Sequence, residues 1–181
     1  MNRIRTFFVI AAIVIAWTLF VSWTVSRADR QLRADLLQET KLVANAINRE
    51  HVKALTGTEA DLRSPVYLAL NEQLKSVVKA ADNYRYIYLM GRRDDGQVFF
   101  MVDIQSYYDP DDPPCQPGQN YEETSEELLH LFDTQTPLTE GPLPDQWGIW
   151  ISGLVPLTDP QTGETIAVLG VDVDAQDWRR K

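Results

Sequence analysis

Hydrophobic residues follow two patterns along the chain, a helical one in its first half and an alternating one in its second. Residues 6–25 form a run of twenty without a charge, long enough to cross a bilayer as a helix. Residues 26–55 carry apolar side chains at helical spacing on a narrow arc, which predicts one long helix stopped by Gly57. A second helix is predicted to begin at Ser64-Pro65, an N-cap followed by proline. The apolar arc consists of Leu32, Leu36, Val43, Ala46 and Ile47.

From residue 84 onward the hydrophobic period changes to the alternation of β-strands. Asp94-Asp95-Gly96 is a hairpin signal between the first two strands, and a second hairpin is predicted across residues 159–163. A short helix is expected at residues 125–132, after a proline-rich loop. The predicted strands are residues 84–90, 97–103, 147–157 and 164–173. This order predicts the α+β fold class, an antiparallel sheet with helices covering a face.

The apolar run is interpreted as an uncleaved membrane anchor rather than a signal peptide. A signal peptide has an apolar core of about 7–15 residues followed by small residues at its cleavage site. Here the run is longer, and Ser26-Arg27-Ala28 matches such a site poorly. The predicted organisation is a cytoplasmic stub (residues 1–5), a transmembrane helix (6–25), a stalk helix (26–55), a folded extracytoplasmic domain (56–178) and a juxtamembrane end (179–181).

The charge of the chain favours an extracytoplasmic domain and excludes nucleic acid as a partner. Arg3 and Arg5 account for two of the 17 Lys and Arg residues, so 15 follow the apolar run against 26 Asp and Glu, a balance of −11. Such an acidic surface repels nucleic acid and anionic lipid headgroups. Positive charges stand on both sides of the apolar run, so their count does not decide its orientation.

Signals for catalysis are poor, so the sequence predicts no enzyme activity, no metal site and no cofactor. His51 and His130 lie on predicted helices outside any spaced metal motif, and no serine occupies a nucleophile elbow. Cys115 is the single cysteine, which excludes an intrachain disulfide. The acidic run at residues 109–112 lacks the alternating ligands and glycine of a calcium loop, which favours a solvated loop.

The predicted strands separate into an apolar face and a face that combines large rings with polar groups. Asp172 lies on the second face, because its neighbours Val171 and Val173 point to the core, and Gly170 leaves room there for something other than a side chain. Rings, a hydroxyl and a carboxylate on one face are typical of a small-ligand pocket. A face exposed to solvent or covered by the proline-rich loop is the open alternative. The candidate ligand-binding residues are Arg85, Tyr86, Tyr88, Asp103, Trp147, Trp150, Ser152 and Asp172.

Several motifs, in this order, resemble the extracytoplasmic sensor domains of the Cache superfamily. They are a membrane helix running into a long helix, Tyr86-x-Tyr-Leu ahead of Asp94-Asp-Gly, the Trp147-Gly-x-Trp segment, and a closing strand Ala-Val-Leu-Gly-Val-Asp-Val-Asp that ends at Asp174. Such domains belong to bacterial and archaeal histidine kinases, diguanylate cyclases and chemoreceptors. The resemblance implies a PAS-like antiparallel sheet flanked by a long N-terminal helix.

The resemblance also implies a function, that of a non-catalytic sensor which binds a small molecule over the sheet. The N-terminal helix would pass the signal to a kinase, cyclase or chemotaxis output, which is not present in this sequence. We therefore expect a receptor that continues past Lys181 or an output carried by a partner. The implied location is the inner membrane, crossed once by this chain, with a periplasmic sensor domain. A membrane-anchored solute-binding or scaffold protein without signalling is the alternative.

Asp172 has two candidate partners, because a carboxylate on a buried strand needs a cation or hydrogen-bond donors. The resemblance implies a ligand, since amine-binding relatives use an aspartate on this strand. Arg85 is the competing structural partner. The Tyr-x4-Arg-x-Trp-Tyr pattern of those relatives is missing ahead of the sheet, so an amino-acid ligand is not inferred.

The apolar arc of the long helix also has two interpretations. It can rest on the core of its own domain as an ordinary amphipathic helix. It can instead pair with its copy, and on this basis we expect a homodimer along residues 26–55.

Overall fold

The protein is described by a computed structural model over residues 2–107, 110 and 113–178. Its first unit, residues 2–35, is the N-terminal part of helix α1 (Asn2–Ala46), in which the large apolar side chains from Phe7 to Val25 are exposed. By length and composition this helix can cross a membrane, and none of its most apolar stretch is buried. The predicted end at residues 179–181 and the acidic positions 109, 111 and 112 lie outside the described residues.

The second unit begins at Leu36 and contains the last turns of α1. The helix predicted to reach Leu55 ends at Ala46, so that prediction is wrong. The cause is Asn48, which is extended and whose side chain accepts a hydrogen bond from the second residue of a new helix, α2 (Arg49–Lys53). Gly57 has a φ of +65° but lies beyond both helices and does not stop the long one.

Two of the remaining helices begin at serine caps. Ser64 accepts a hydrogen bond from the N–H of Tyr67 (3.0 Å) and starts α3 (Pro65–Ala80), as predicted. Ser125 accepts one from the N–H of Leu128 (3.0 Å) and starts α4 (Glu126–Thr134). A 3-10 helix (Glu59–Arg63) and the short helix α5 (Ala175–Trp178) complete the set.

Five antiparallel strands form one sheet in the order β2-β1-β5-β4-β3. They are β1 (Tyr86–Arg92), β2 (Val98–Gln105), β3 (Leu138–Pro144), β4 (Ile149–Thr158) and β5 (Thr165–Asp174). The predicted α+β class, an antiparallel sheet with a long N-terminal helix, is confirmed. Strand β3 was not predicted, because Gly141-Pro142 and Pro144 argue against a strand, yet prolines are tolerated at a sheet edge, where β3 lies.

Two hydrophobic clusters lie on the two faces of the sheet. On the first face, α1 from Leu36 onward, α2 and α3 pack against Ile87, Leu169 and Val171. On the second face, α4 and Cys115 pack against Met90, Leu154, Val168 and the aromatic rings. The predicted division into an apolar and an aromatic face is confirmed, except that Ile149, assigned to the core, is 50% exposed.

Three residues of the predicted apolar arc, Leu36, Val43 and Ile47, pack in this domain's own core, whereas Ala46 is exposed. Leu36 and Ile47 are each 3% exposed, and Val43 packs against the same core. At Gly153 of β4 the approach is close, because a Cβ placed there would lie 2.6 Å from Oγ1 of Thr40. The prediction of a dimer contact through Leu36 and Ile47 is therefore wrong, and the homodimer stays a prediction without that support.

Candidate functional site

Polar and aromatic residues form two rows across the second face of the sheet. Directly paired residues of antiparallel strands share a face, so each row can be read from the strand register. The first row is Gln105, Tyr86, Asp172, Ser152 and Glu140, from β2 to β3. The second row is Asp103, Tyr88, Gly170 and Leu154. Asp172 stands in the middle of the first row.

Gly170 makes room for the ring of Tyr88. A Cβ at Gly170 would lie 1.9 Å from a ring carbon of Tyr88. The ring therefore crosses the backbone of β5, and its hydroxyl donates a hydrogen bond to Oδ1 of Asp172 (3.0 Å). The space predicted beside Gly170 is filled by a side chain, so that interpretation is wrong.

Asp172 is buried, with 6% of the residue exposed. Burial is the largest effect on it and raises its pKa from 3.8 to about 7. Hydrogen bonds from Ser152 and Tyr88 lower the pKa, and the negative charges of Asp145 and Asp103 raise it further. The same burial raises the pKa of the Tyr88 hydroxyl.

Arg85, the predicted structural partner of Asp172, contacts it through the backbone. The N–H of Arg85 donates to the carbonyl oxygen of Asp172 (2.8 Å). The guanidinium carbon lies 4.5 Å from the ring centre of Tyr86 and 3.9 Å from that of Tyr107. Arg85 lines a wide groove next to the site rather than the cavities beside the Asp172 carboxylate.

Two cavities lie over the second face and share Asp172 in their walls. The first has a volume of about 30 Å³, which is room for one or two waters. The second has a volume of about 200 Å³. Both are walled by Tyr88, Tyr121, Asp145, Trp150 and Asp172.

Six aromatic rings line the first cavity and contact one another. Phe100 meets Tyr88, Tyr121 and Trp147 edge to face, with ring centres 5.7–6.0 Å apart. Tyr121 and Trp147 stack at 6.2 Å, and Tyr86 meets Trp150 edge to face at 5.0 Å. Such packing holds the ring faces in fixed positions, and ring faces attract cations.

Asp145 fixes the two tryptophans of the site. Its Oδ1 accepts hydrogen bonds from the N–H of Trp147 (2.8 Å), the N–H of Gly148 (3.0 Å) and Nε1 of Trp150 (2.8 Å). All three bonds use the same oxygen. Asp145 was not among the predicted site residues, although an aspartate followed by Gln-Trp-Gly is a signal for a side-chain-capped turn.

Glu140 on β3 stands at the far end of the first row. Its Oε2 accepts a hydrogen bond from Oγ of Ser125 (2.8 Å), the residue that also caps α4. Burial raises the pKa of this carboxyl, while the Ser125 hydrogen bond lowers it. Glu140 was missed because strand β3 was not predicted.

Six of the eight candidate residues line the first cavity, namely Tyr86, Tyr88, Asp103, Trp147, Trp150 and Asp172. Ser152 lines the second cavity, and Arg85 lines the neighbouring groove. The residues of the first cavity that were not predicted as site residues are Met90, Phe100, Gln105, Cys115, Tyr121 and Asp145.

The two cavities are strongly acidic. The carboxylates in their walls are Asp103, Glu123, Glu140, Asp145 and Asp172, and no Lys, Arg or His of the described residues lines either cavity. Within the described part of the chain no three metal-binding side chains are placed to hold a metal ion. The arrangement can attract an organic cation through carboxylates and ring faces together.

Comparison with known proteins gives only structural likenesses, since no family model and no curated protein matches the chain. The ligand-binding domain of the Campylobacter jejuni chemoreceptor Tlp3, solved with 4-methylisoleucine, is 14% identical over 84% of this chain and 62% of its own, with a TM-score of 0.45. The sensory domain of the same receptor is 13% identical over 88% and 67%, with a TM-score of 0.43.

A further likeness is to the extracellular domain of vpHK1S-Z8, a protein named as a histidine kinase. It is 15% identical over 85% of this chain and 60% of its own, with a TM-score of 0.43. The chain thus spans about three fifths of the first and last of these structures. These three structures are ligand-binding, sensory and extracellular domains of their own proteins.

Proposed function

We propose that this chain is the sensor part of a membrane receptor, in which a small ligand binds beside Asp172 and α1 carries the response. One observation carries the proposal, namely that strand β4 links the ligand cavity to the helix. Ser152 faces the cavity and hydrogen-bonds to Asp172, while the next residue, Gly153, meets Thr40 of α1 on the opposite face. A ligand that displaces β4 would therefore displace α1.

A second contact joins α1 to the same site. The hydroxyl of Tyr84 donates to Oε2 of Glu39 on α1 (2.8 Å). Its neighbour Arg85 donates its backbone N–H to Asp172 (2.8 Å), so Tyr84 is tied to the cavity strand as well as to the helix. A ligand shifts a two-state receptor only by its difference in affinity for the two states. These two contacts connect the ligand site to α1, so a change at the site that favours one state would also move α1.

The proposal includes the membrane arrangement expected from the sequence. Residues 6–25 would anchor the chain in the inner membrane, and the acidic domain would lie on the periplasmic side. The kinase, cyclase or chemotaxis output would belong to a continuation of the chain or to a partner. The helical, apolar and unburied character of the N-terminal segment supports the anchor.

Ligand binding is tested by thermal unfolding of the full chain in detergent against a panel of small metabolites. A ligand present at 100 times its Kd should add about 2.7 kcal/mol to the free energy of unfolding. Asp172→Asn should abolish that gain, whereas Glu164→Gln, an exposed carboxylate in the β4–β5 turn, should keep it. A ligand gain that survives Asp172→Asn would place the binding site elsewhere.

Transmission is tested by hydrogen exchange on the same samples. We expect ligand to change the exchange of backbone amides in residues 36–46 of α1, and Asp172→Asn to remove the change. A ligand that alters only the cavity segments would favour the alternative, an anchored solute-binding or scaffold protein without signalling.

A further inference from the structure

The second cavity holds two carboxylates at opposite ends of a short polar row. Glu140, Ser152 and Asp172 are direct cross-strand partners on β3, β4 and β5, and all three line this cavity. Neighbouring strands lie about 4.8 Å apart, so the backbones of Glu140 and Asp172 are separated by roughly 10 Å. The two acidic groups therefore open into one space of about 200 Å³.

The surroundings of the two carboxylates differ. Asp172 lies among the rings of Tyr88, Tyr121 and Trp150, which offer faces to a cation and apolar surface to a methylene chain. Glu140 lies beside Ser125, whose hydroxyl fixes one of its oxygens. Of the described residues in these walls none supplies a positive charge, so once the two carboxyl groups are ionised a cationic ligand would compensate their charge.

Resting on the proposed function, we propose that the ligand is a linear organic dication, with one ammonium group at Asp172 and the other at Glu140. A chain of a few methylene groups spans the distance between the two carboxylates and lies against the rings. A ligand with a single ammonium group leaves the Glu140 carboxylate uncompensated in a partly buried place. A zwitterion places its own carboxylate against Glu140, and like charges repel.

Calorimetric titration of the full chain in detergent, at low salt and pH 8, tests this inference with three probes. They are 1,4-diaminobutane, 1-aminobutane and 4-aminobutanoate, which share a carbon chain length and differ in the group at one end. The diamine should bind at least about tenfold more tightly than the monoamine, because it adds a second charge-assisted contact. The zwitterion should bind no more tightly than the monoamine.

Glu140→Gln isolates the second contact. The amide keeps an oxygen for the Ser125 hydroxyl but loses the charge, so the tenfold preference for the diamine should vanish while the monoamine binds as before. Glu164→Gln removes the same charge from an exposed turn and should keep the preference. Thermal unfolding of each variant checks that the fold is retained, and the ratio measured in the unaltered chain does not depend on either variant.

The outcomes separate the two proposals. Equal binding of diamine and monoamine, tight binding of the zwitterion, or a preference that survives Glu140→Gln would overturn the dication while leaving a sensor site at Asp172. A panel ligand that needs Asp172 but is not a cation would do the same. If no ligand binds through Asp172 at all, the proposed function fails as well.

Discussion

Replacing Asp172 by Asn should make the unliganded domain more stable at neutral and alkaline pH. In the folded protein, burial raises the pKa of this carboxyl from 3.8 to about 7. One pH unit of difference corresponds to about 1.4 kcal/mol, so three units cost the folded state about 4 kcal/mol once the group is ionised. Asparagine keeps an acceptor for the Tyr88 hydroxyl and never ionises, so it avoids this cost.

The sign of the pH dependence follows from proton binding. Between about pH 4 and pH 7 the folded state holds a proton that the unfolded chain has released, so the free energy of unfolding falls as pH rises. It levels off above about pH 7, where both states are ionised. The two proteins should therefore be similarly stable at pH 4 and differ most at pH 8. The other titratable groups in the walls of the two cavities are Tyr86, Tyr88, Asp103, Cys115, Tyr121, Glu123, Glu140 and Asp145.

Urea unfolding of the full chain in detergent, at intervals from pH 4 to pH 8, measures this difference. Glu164→Gln serves as the control for loss of an acidic residue and should follow the unaltered protein at every pH. The reasoning is refuted if the gap between Asp172→Asn and the unaltered protein is constant across pH. It is also refuted if the Asn variant is the less stable one at pH 8.

Three further substitutions test contacts around the site by urea unfolding. Gly153→Ala should lower the free energy of unfolding by about 1–3 kcal/mol, because the added Cβ would meet Oγ1 of Thr40. Thr40→Ala in the same chain should restore part of that loss. An unchanged free energy of unfolding in Gly153→Ala would mean that α1 does not pack closely there. Gly170→Ala should displace the ring of Tyr88, lowering stability and abolishing ligand binding, and unchanged binding would contradict this. Asp61→Ala should cost about 2–3 kcal/mol, because the buried carboxylate accepts N–H groups of the preceding loop (2.8–3.0 Å), and a neutral effect would contradict it.

The sheet and its two faces could be predicted because their signals are local. Alternation along β5 put Val171 and Val173 in the core and Asp172 on the other face, and Asp94-Asp95-Gly96 marked a hairpin whose Gly96 has a φ of +89°. The Ser64-Pro65 cap marked the start of α3 in the same way. Each of these signals depends on neighbours in sequence, so no tertiary information was needed.

The rest of the site depends on contacts between distant segments. Phe100 and Asp103 are three residues apart, which simple alternation places on opposite faces of β2. A bulge in the pairing of β1 with β2, between Leu89 and Met90, brings both to the cavity. Tyr121 and Asp145 reach the site from loops, whose course is set by the rings they contact.

The loop residue Cys115 gives the site a built-in reporter of its own opening. Cys115 is the only cysteine of the chain, is 7% exposed, and lines both the first cavity and the neighbouring groove. Its N–H donates to Oδ2 of Asp103 (2.7 Å), which holds this part of the loop over the sheet. The first cavity admits only one or two waters, so a ligand that extends from Asp172 into it would have to displace the loop around Cys115, and that displacement would expose the thiol. The rate at which a maleimide reacts with the thiol of the unaltered chain would therefore report how often this loop is displaced. A bound ligand that keeps the loop in place would slow that reaction.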